Sequence, residues 1–312
     1  MGNNVNANLK DLDTKKMSFI KNICDFCDTD NVSVLQKVSF LGQSFTFVKC
    51  NSCGLVYQNP LLDKESRNYV YSTIDYWDHK NSKSKNNTML NYYSYIDETE
   101  IRKLNFYMRL EWLKKYIPQK SIILDVACAD GLFVDILNKN GYTAEGIDIS
   151  ASMIELGKKK YNASLYQGDI ENDWQLGKKF DAITCFAALS NFISFSAVLK
   201  NIKNHLTENG LFFFNFGDYT RLLSKMMGSR LYLFRPTVAT IYSKKIIEKY
   251  LKKYGFEIIE ISNDQQIFSV ARLLGFLRIP FSLKIMETLK LNDLTVKMKF
   301  LTGYCACAKL KK

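Results

Sequence analysis

From residue 120 onward, apolar runs alternate with amphipathic segments, and no other feature constrains the fold as strongly. SIILDVAC is an apolar run feeding GLFVDILNKNG, a helical pattern closed by Gly141. TAEGIDIS, SMIELGKKKY, SLYQGDI and FDAITCFAAL continue the alternation, AVLKNIKNHL adds an amphipathic helix, and Asn209-Gly210 turns the chain into LFFFNF. Strands joined through helices imply an α/β fold, a mostly parallel sheet with helices on both faces. In the tail, SKKIIEKYLKKYG reads as a helix, FEIIEIS as a strand, 265–290 as mostly helical and KFLTGYCACAKL as a last strand. Two edge strands, one of them antiparallel, would bring the sheet to seven.

The chain has 312 residues, of which 47% are hydrophobic and 24% charged, which excludes a disordered or collagen-like polymer and leaves room for a large core. Its apolar runs fall short of the roughly 18 residues that cross a bilayer, and the first twenty residues lack a signal-peptide core, so a cytoplasmic protein is expected. The opening Met-Gly fits myristoylation except that Asn6 stands where Ser or Thr is needed. Net charge is +12, concentrated at the C-terminus, where residues 221–312 hold 18 basic and 6 acidic side chains. That excess points to an anionic partner, or is simply a Lys-rich solvated face.

Four of the eight cysteines form two matched pairs, Cys24-x-x-Cys27 and Cys50-x-x-Cys53. Each pair sets two thiolates on one side of a tight knuckle, and two knuckles complete the tetrahedral sulfur shell that zinc favours. Gly54 suits the turn after the second pair, and VSVLQKVSFLGQSFTFVK between them reads as short strands around Gly42, so residues 1–60 are expected to form a zinc ribbon. A redox role would need one pair, not two. Residues 61–117 are aromatic and irregular, an expected linker and lid ending in a helix over 97–117 with Leu104, Met108 and Trp112 four apart. The tyrosines there either cover a ligand or pack one unit on the next, the second being the commoner fate. Cys305 and Cys307, alternating on a strand, read as buried side chains, as do Cys128 and Cys185; His205 reads as a surface or packing residue.

Ligands of such sheets lie at the carboxyl ends of the central strands. Here the first strand ends in Asp125-Val126-Ala127-Cys128-Ala129-Asp130-Gly131, the second in Asp148 and the third in Asp169. Small residues at 127, 129 and 131 let a ligand approach the backbone, and a carboxylate about twenty positions on can accept both hydroxyls of a ribose. Three acids at three adjacent strand tips outline a nucleoside pocket.

On these residues the chain resembles class I S-adenosylmethionine-dependent methyltransferases, with DVACADG, EGIDIS and QGDI in the places of that family's cofactor motifs. VKCNSCGLVYQNP resembles the N-terminal zinc module of bacterial sugar and natural-product methyltransferases. The resemblance implies a Rossmann-like seven-stranded methyltransferase domain over 118–312. It implies that Asp148 holds the ribose, Asp169 the adenine amine, and Asp125, Ala127, Ala129 and Gly131 of the 125–131 loop the methionine end, with Phe186 flanking the adenine and Ile149 and Ile170 also in the cofactor site. Ala127 and Ala129 replace two glycines, so each is expected at negative φ or else the pocket is tighter than usual.

Methyl transfer is an in-line displacement, so the enzyme aligns the nucleophile and, for a neutral hydroxyl, removes its proton. The family often places Glu-His after the fourth strand; Ser190-Asn191 stands there instead. The nucleophile is then already anionic and oriented by the basic tail, or a base comes from His79, Asp218 or Tyr219, with Asn191 beside it. The resemblance implies a small sugar-containing or phosphorylated metabolite, modified on oxygen or carbon, as the substrate. An RNA methyltransferase and a non-catalytic zinc-containing assembly protein are the rival readings; FAALSNF lacks the prolines of the loop that serves exocyclic base amines.

Overall fold

The computed structural model describes residues 13–40, 43–77, 95, 98–172, 174–270 and 294–311. The N-terminal part holds β1 (Phe19–Ile20), β2 (Val32–Phe40), β3 (Gln43–Cys50), β4 (Val56–Gln58) and β5 (Leu61–Leu62). Three helices follow: α1 (Lys64–Tyr71), α2 (Ile74–Trp77) and α3 (Thr99–Leu113). The alternating part then runs β6 (Ile122–Val126), α4 (Leu132–Lys139), β7 (Thr143–Asp148), α5 (Ala151–Lys160), β8 (Ser164–Gln167), β9 (Phe180–Cys185), α6 (Phe195–His205) and β10 (Leu206–Gly217). After α7 (Leu222–Met227) and β11 (Thr240–Ile241) come α8 (Lys244–Lys253), β12 (Phe256–Ser269) and β13 (Thr295–Leu310).

Seven strands form the main sheet in the order β12-β13-β10-β9-β6-β7-β8. The five strands from β10 to β8 are parallel, and β13 is antiparallel to both neighbours, as expected for a sheet closed by two late edge strands. Period-two alternation divides β10: Phe212, Phe214 and Phe216 face a core filled by α6 and α8, while Leu211 and Phe213 face one filled by α3 and α4. Asn209-Gly210 is not a separate turn but an irregularity inside β10, where the pairing with β9 jumps from Leu206 to Leu211.

Two expectations need correcting. The segment read as helical from 265 continues as strand to Ser269, because β12 pairs along its length with the long β13; 271–293 lie outside the described residues. On α3 the stripe of Leu104, Met108 and Trp112 is not the buried face: Leu104 is exposed, and the buried positions are Arg102, Arg109, Leu110 and Leu113. Cys128, Cys185, Cys305 and Cys307 are all buried, and His205 is a packing residue whose ring nitrogens lie 2.9 and 2.7 Å from the carbonyls of Asn201 and Trp174.

The cysteine ribbon is built into the rest of the chain. Its sheet has the order β11-β4-β3-β2, so a strand from residues 240–241 completes it. Asp25, between the first two cysteines, accepts hydrogen bonds from the Ser194 hydroxyl (2.6 Å), the Ser196 N–H (3.0 Å) and the Tyr250 hydroxyl (2.8 Å), capping α6 from outside. Among the described residues, no helix is long and apolar enough to cross a membrane.

Candidate active site

A cavity of about 460 Å³ opens over the carboxyl ends of β6, β7, β8 and β9, roofed by α1, α2 and α3. The β6 tip sets its shape. Ala127 (φ 59°) and Ala129 (φ 50°) both adopt left-handed backbone, contrary to the negative φ expected, and so does Ala187 (φ 58°) after β9. All three line the cavity. Each left-handed alanine costs roughly 1–2 kcal/mol relative to ordinary backbone. The geometry they permit turns the Ala129 N–H onto Asp148 Oδ2 at 2.9 Å. Gly131, also left-handed (φ 72°), starts α4 without lining the cavity; a Cβ there would meet the Leu165 side chain at 2.6 Å.

Asp125, Asp148 and Asp169 all line the cavity, together with Ile149 and Ile170. Asp125 accepts a 2.6 Å hydrogen bond from the Thr184 hydroxyl, and burial pushes its carboxyl up to about 7. Asp148 accepts from the N–H groups of Ala129 and Ser150, yet burial still holds it up at about 6. Asp169 is more exposed to cations: Lys64 Nζ of α1 lies 2.7 Å away. Glu171, which the sequence did not single out, also lines the cavity, accepts from the Ser194 N–H and is pushed up to about 7 by burial.

Phe186 lines the cavity from the α3–α4 side. Its ring meets Phe133 edge-on at 5.6 Å and lies 5.2 Å from the Arg109 guanidinium, whereas Ile170 belongs to the core on the sheet's other face. Of the catalytic candidates among the described residues, only Asn191 reaches the cavity, just after β9. Asp218 is buried at the start of α8, accepting from the N–H groups of Thr220 (2.8 Å) and Lys244 (2.9 Å). Tyr219 donates its hydroxyl to the Gly54 carbonyl at 3.1 Å. The chain turns away from the cavity beyond β10, so both of these residues brace the ribbon and α8 instead of meeting a ligand. His79 lies outside the described residues.

The aromatic segment read as a linker and lid reaches the cavity, and two arginines that the sequence did not single out join it. Tyr71, Tyr76, Trp77 and Tyr95 form a chain of edge-to-face contacts at 4.9, 4.7 and 5.2 Å that lines the roof, so the aromatic segment faces the cavity as well as packing. Arg102 pairs with both oxygens of Asp130 at 3.0 Å. Arg109 pairs with Asp264, which also accepts from Asn215 (3.0 Å) and Gln266 (2.6 Å). These partners come from the loop after β6, from β10 and from β12, and no local spacing announces them.

The four ribbon sulfurs lie within 4.8 Å of one another, with Sγ–Sγ separations of 3.4 Å for Cys24–Cys27 and 3.5 Å for Cys24–Cys53 and Cys27–Cys50. Zinc–sulfur bonds of about 2.3 Å in a tetrahedron place sulfurs about 3.8 Å apart, so the donor set fits such an ion. The two knuckles match: Asp28 N–H returns to the Cys24 carbonyl (2.8 Å) and Gly54 N–H to the Cys50 carbonyl (2.9 Å), with left-handed backbone at both Asp28 and Gly54.

Comparison with known proteins agrees with this architecture. A family described as a methyltransferase domain matches residues 84–261, more than half of the chain. The chain belongs to that methyltransferase family. Among relatives of the chain, a dTDP-3-amino-3,6-dideoxy-alpha-D-glucopyranose N,N-dimethyltransferase of Streptomyces fradiae is 29% identical over 104 residues, covering 32% of this chain and 40% of the relative. A ubiquinone biosynthesis O-methyltransferase of Coxiella burnetii is 30% identical over 114 residues, 35% of this chain and 49% of the relative. The matches thus span half or less of those relatives' length. In fold, the chain resembles the magnesium protoporphyrin IX methyltransferase of Synechocystis PCC 6803, solved with bound SAH, with a TM-score of 0.52 and 18% identity over 80% of this chain and all of that one.

Proposed function

We propose that this chain transfers a methyl group from S-adenosylmethionine to a small sugar-containing metabolite carried on a nucleotide, and that Cys24, Cys27, Cys50 and Cys53 hold a structural zinc ion. The cavity over the strand tips carries the reading: three carboxylates from three adjacent strands line one floor, as a nucleoside with a cationic tail requires. The substrate class is supported by the amino-sugar relative named above.

In this reading Asp148 accepts the ribose hydroxyls, Asp169 and Ile170 border the adenine, and Asp125 with the 127–129 backbone faces the methionine end. The cofactor, when bound, supplies a methyl group on a positively charged sulfur. Phe186, on the α3–α4 side, borders the methionine end rather than the adenine. The aromatic roof excludes water, which strengthens the pull of the floor carboxylates on a cation. Among the described residues lining the cavity, the proton acceptors are carboxylates; Asp125 and Glu171, both held near neutrality, are suited to receive the proton an acceptor releases.

The test is methyl transfer to a panel of dTDP- and UDP-linked amino and hydroxy sugars, read by mass spectrometry. Addition of one methyl to a nucleotide sugar, lost in Asp148→Ala together with cofactor binding, is the expected result. Methylation of free phenols or free sugars with the nucleotide-linked set untouched would overturn the substrate class. Metal analysis of the purified chain should return one zinc, abolished by Cys24→Ser.

A further inference from the structure

Three arginines line the cavity, and two of them are neutralised: Arg102 by Asp130 and Arg109 by Asp264. Arg67 is not. It sits on the buried face of α1, which starts at the Asp63 cap and carries Ser66, Arg67 and Val70 inward. The residue is only 7% exposed. One guanidinium nitrogen, Nη2, donates to the Asn191 carbonyl, while Nη1 is buried and has no hydrogen-bond partner among the described residues. No carboxylate there forms an ion pair with it: Glu171 lines the same cavity, but its Oε1 accepts from the Ser194 N–H. A buried guanidinium with one nitrogen unsatisfied and no ion pair is costly, and the arrangement makes sense once an anion meets that nitrogen.

The position of α1 narrows which anion this is. Lys64 at its start pairs with Asp169, and the Tyr71 carbonyl at its end accepts from the Ser150 hydroxyl at 3.3 Å, so the helix lies over the tips of β7 and β8. The methionine carboxylate, the cofactor's one anionic group, is expected at the 125–131 loop on β6. We infer that Arg67 receives a phosphate oxygen of the acceptor, whose phosphoryl group lies under α1 beside Asn191. The inference rests on the nucleotide-linked reading above and assigns it a contact. Lys64 neutralises the neighbouring Asp169, which removes one source of repulsion for such a group.

The experiment is calorimetric titration of the full chain, saturated with S-adenosylhomocysteine, with thymidine diphosphate and separately with inorganic pyrophosphate. Wild type is expected to bind thymidine diphosphate, Arg67→Met to lose about tenfold or more, and Arg67→Lys to recover part of the loss, with S-adenosylhomocysteine affinity unchanged in all three. Unchanged cofactor affinity also certifies that the variants fold. Equal thymidine diphosphate affinity in wild type and Arg67→Met overturns the phosphate contact and leaves the substrate class standing. Arg67-dependent binding of pyrophosphate without binding of thymidine diphosphate keeps the contact and sinks the nucleotide. Loss of S-adenosylhomocysteine binding in parallel, or no binding of either probe by wild type, overturns the inference.

Discussion

Ala127 shows what a single residue reveals that its sequence does not. The DVACADG loop reads as a degenerate cofactor motif because alanine replaces glycine, yet the backbone keeps the left-handed conformation that glycine would supply, at Ala127 and again at Ala129. The Cβ atoms are accommodated as strain. Ala127→Gly is therefore expected to stabilise the chain by a few tenths to about 1 kcal/mol, the relief of the left-handed penalty less the greater unfolded-state freedom of glycine, as read by urea unfolding. A loss of stability would show that the methyl group packs to more advantage than the strain costs. Asp125 offers a second measurement. Burial raises its carboxyl from 3.8 to about 7 in the fold, so the folded state holds the proton over that interval and the unfolded chain does not. Stability is then complete below about pH 4 and declines as pH rises toward 7, by up to about 1.4 kcal/mol per pH unit for this group. Thermal melts of the ligand-free protein between pH 5 and 8 should slope downward, and Asp125→Asn should flatten that slope. A profile that rises over the interval in the wild type, or one that the substitution leaves unaltered, would contradict the burial assigned to this carboxyl.

Elements were legible where one local signal defined them and illegible where the partner was distant. The parallel strands, their helices and both cysteine knuckles follow from period-two runs, 3.6-residue patterns and Cys-x-x-Cys spacing, each contained within a dozen residues. The cavity roof does not. On α3 the inward positions are Arg102 and Arg109, polar residues that an apolar-stripe reading assigns to solvent, and what holds them inside is Asp130 and Asp264, 28 and 155 residues away. The fate of Asp218 and Tyr219 likewise depended on where β10 hands the chain over, which no motif records. Asp25 is the element-scale joint that can be tested. It stands in the first knuckle but accepts from the Ser194 hydroxyl and the Ser196 N–H, so it caps α6 across 169 residues of sequence. Asp25→Ala should cost about 1–2 kcal/mol in chemical denaturation, the range of a lost N-cap, while the zinc content of the purified protein stays unchanged. Loss of zinc with the substitution would mean that Asp25 serves the knuckle and not the helix.

At the scale of the whole molecule, the sequence suggests three units, 1–60, 61–117 and 118–312, but the hydrogen bonds cross those boundaries. β11 from residues 240–241 completes the ribbon sheet, Gln58 N–H donates to the Ala239 carbonyl at 2.9 Å, and Ala239 N–H in turn reaches the Ser190 carbonyl at 2.9 Å beside the cavity. Cys24, Cys50 and Tyr57 share one apolar core with Phe195, Tyr242 and Tyr250 of the transferase part. Because the ribbon shares this apolar core, unfolding it exposes the surface under α6 and α8, and the two should melt together. Differential scanning calorimetry is expected to show one transition. A chelator that removes the proposed zinc should lower that whole transition, since the sulfur cluster is anchored in the same core. S-Adenosylhomocysteine at a hundred times its dissociation constant should raise it by the equivalent of about 2.7 kcal/mol. Two separable transitions, with only the smaller one sensitive to chelation, would show instead that the ribbon is an independent module, and deletion of residues 1–60 would then leave a folded methyltransferase in place of the unfolded remainder expected here.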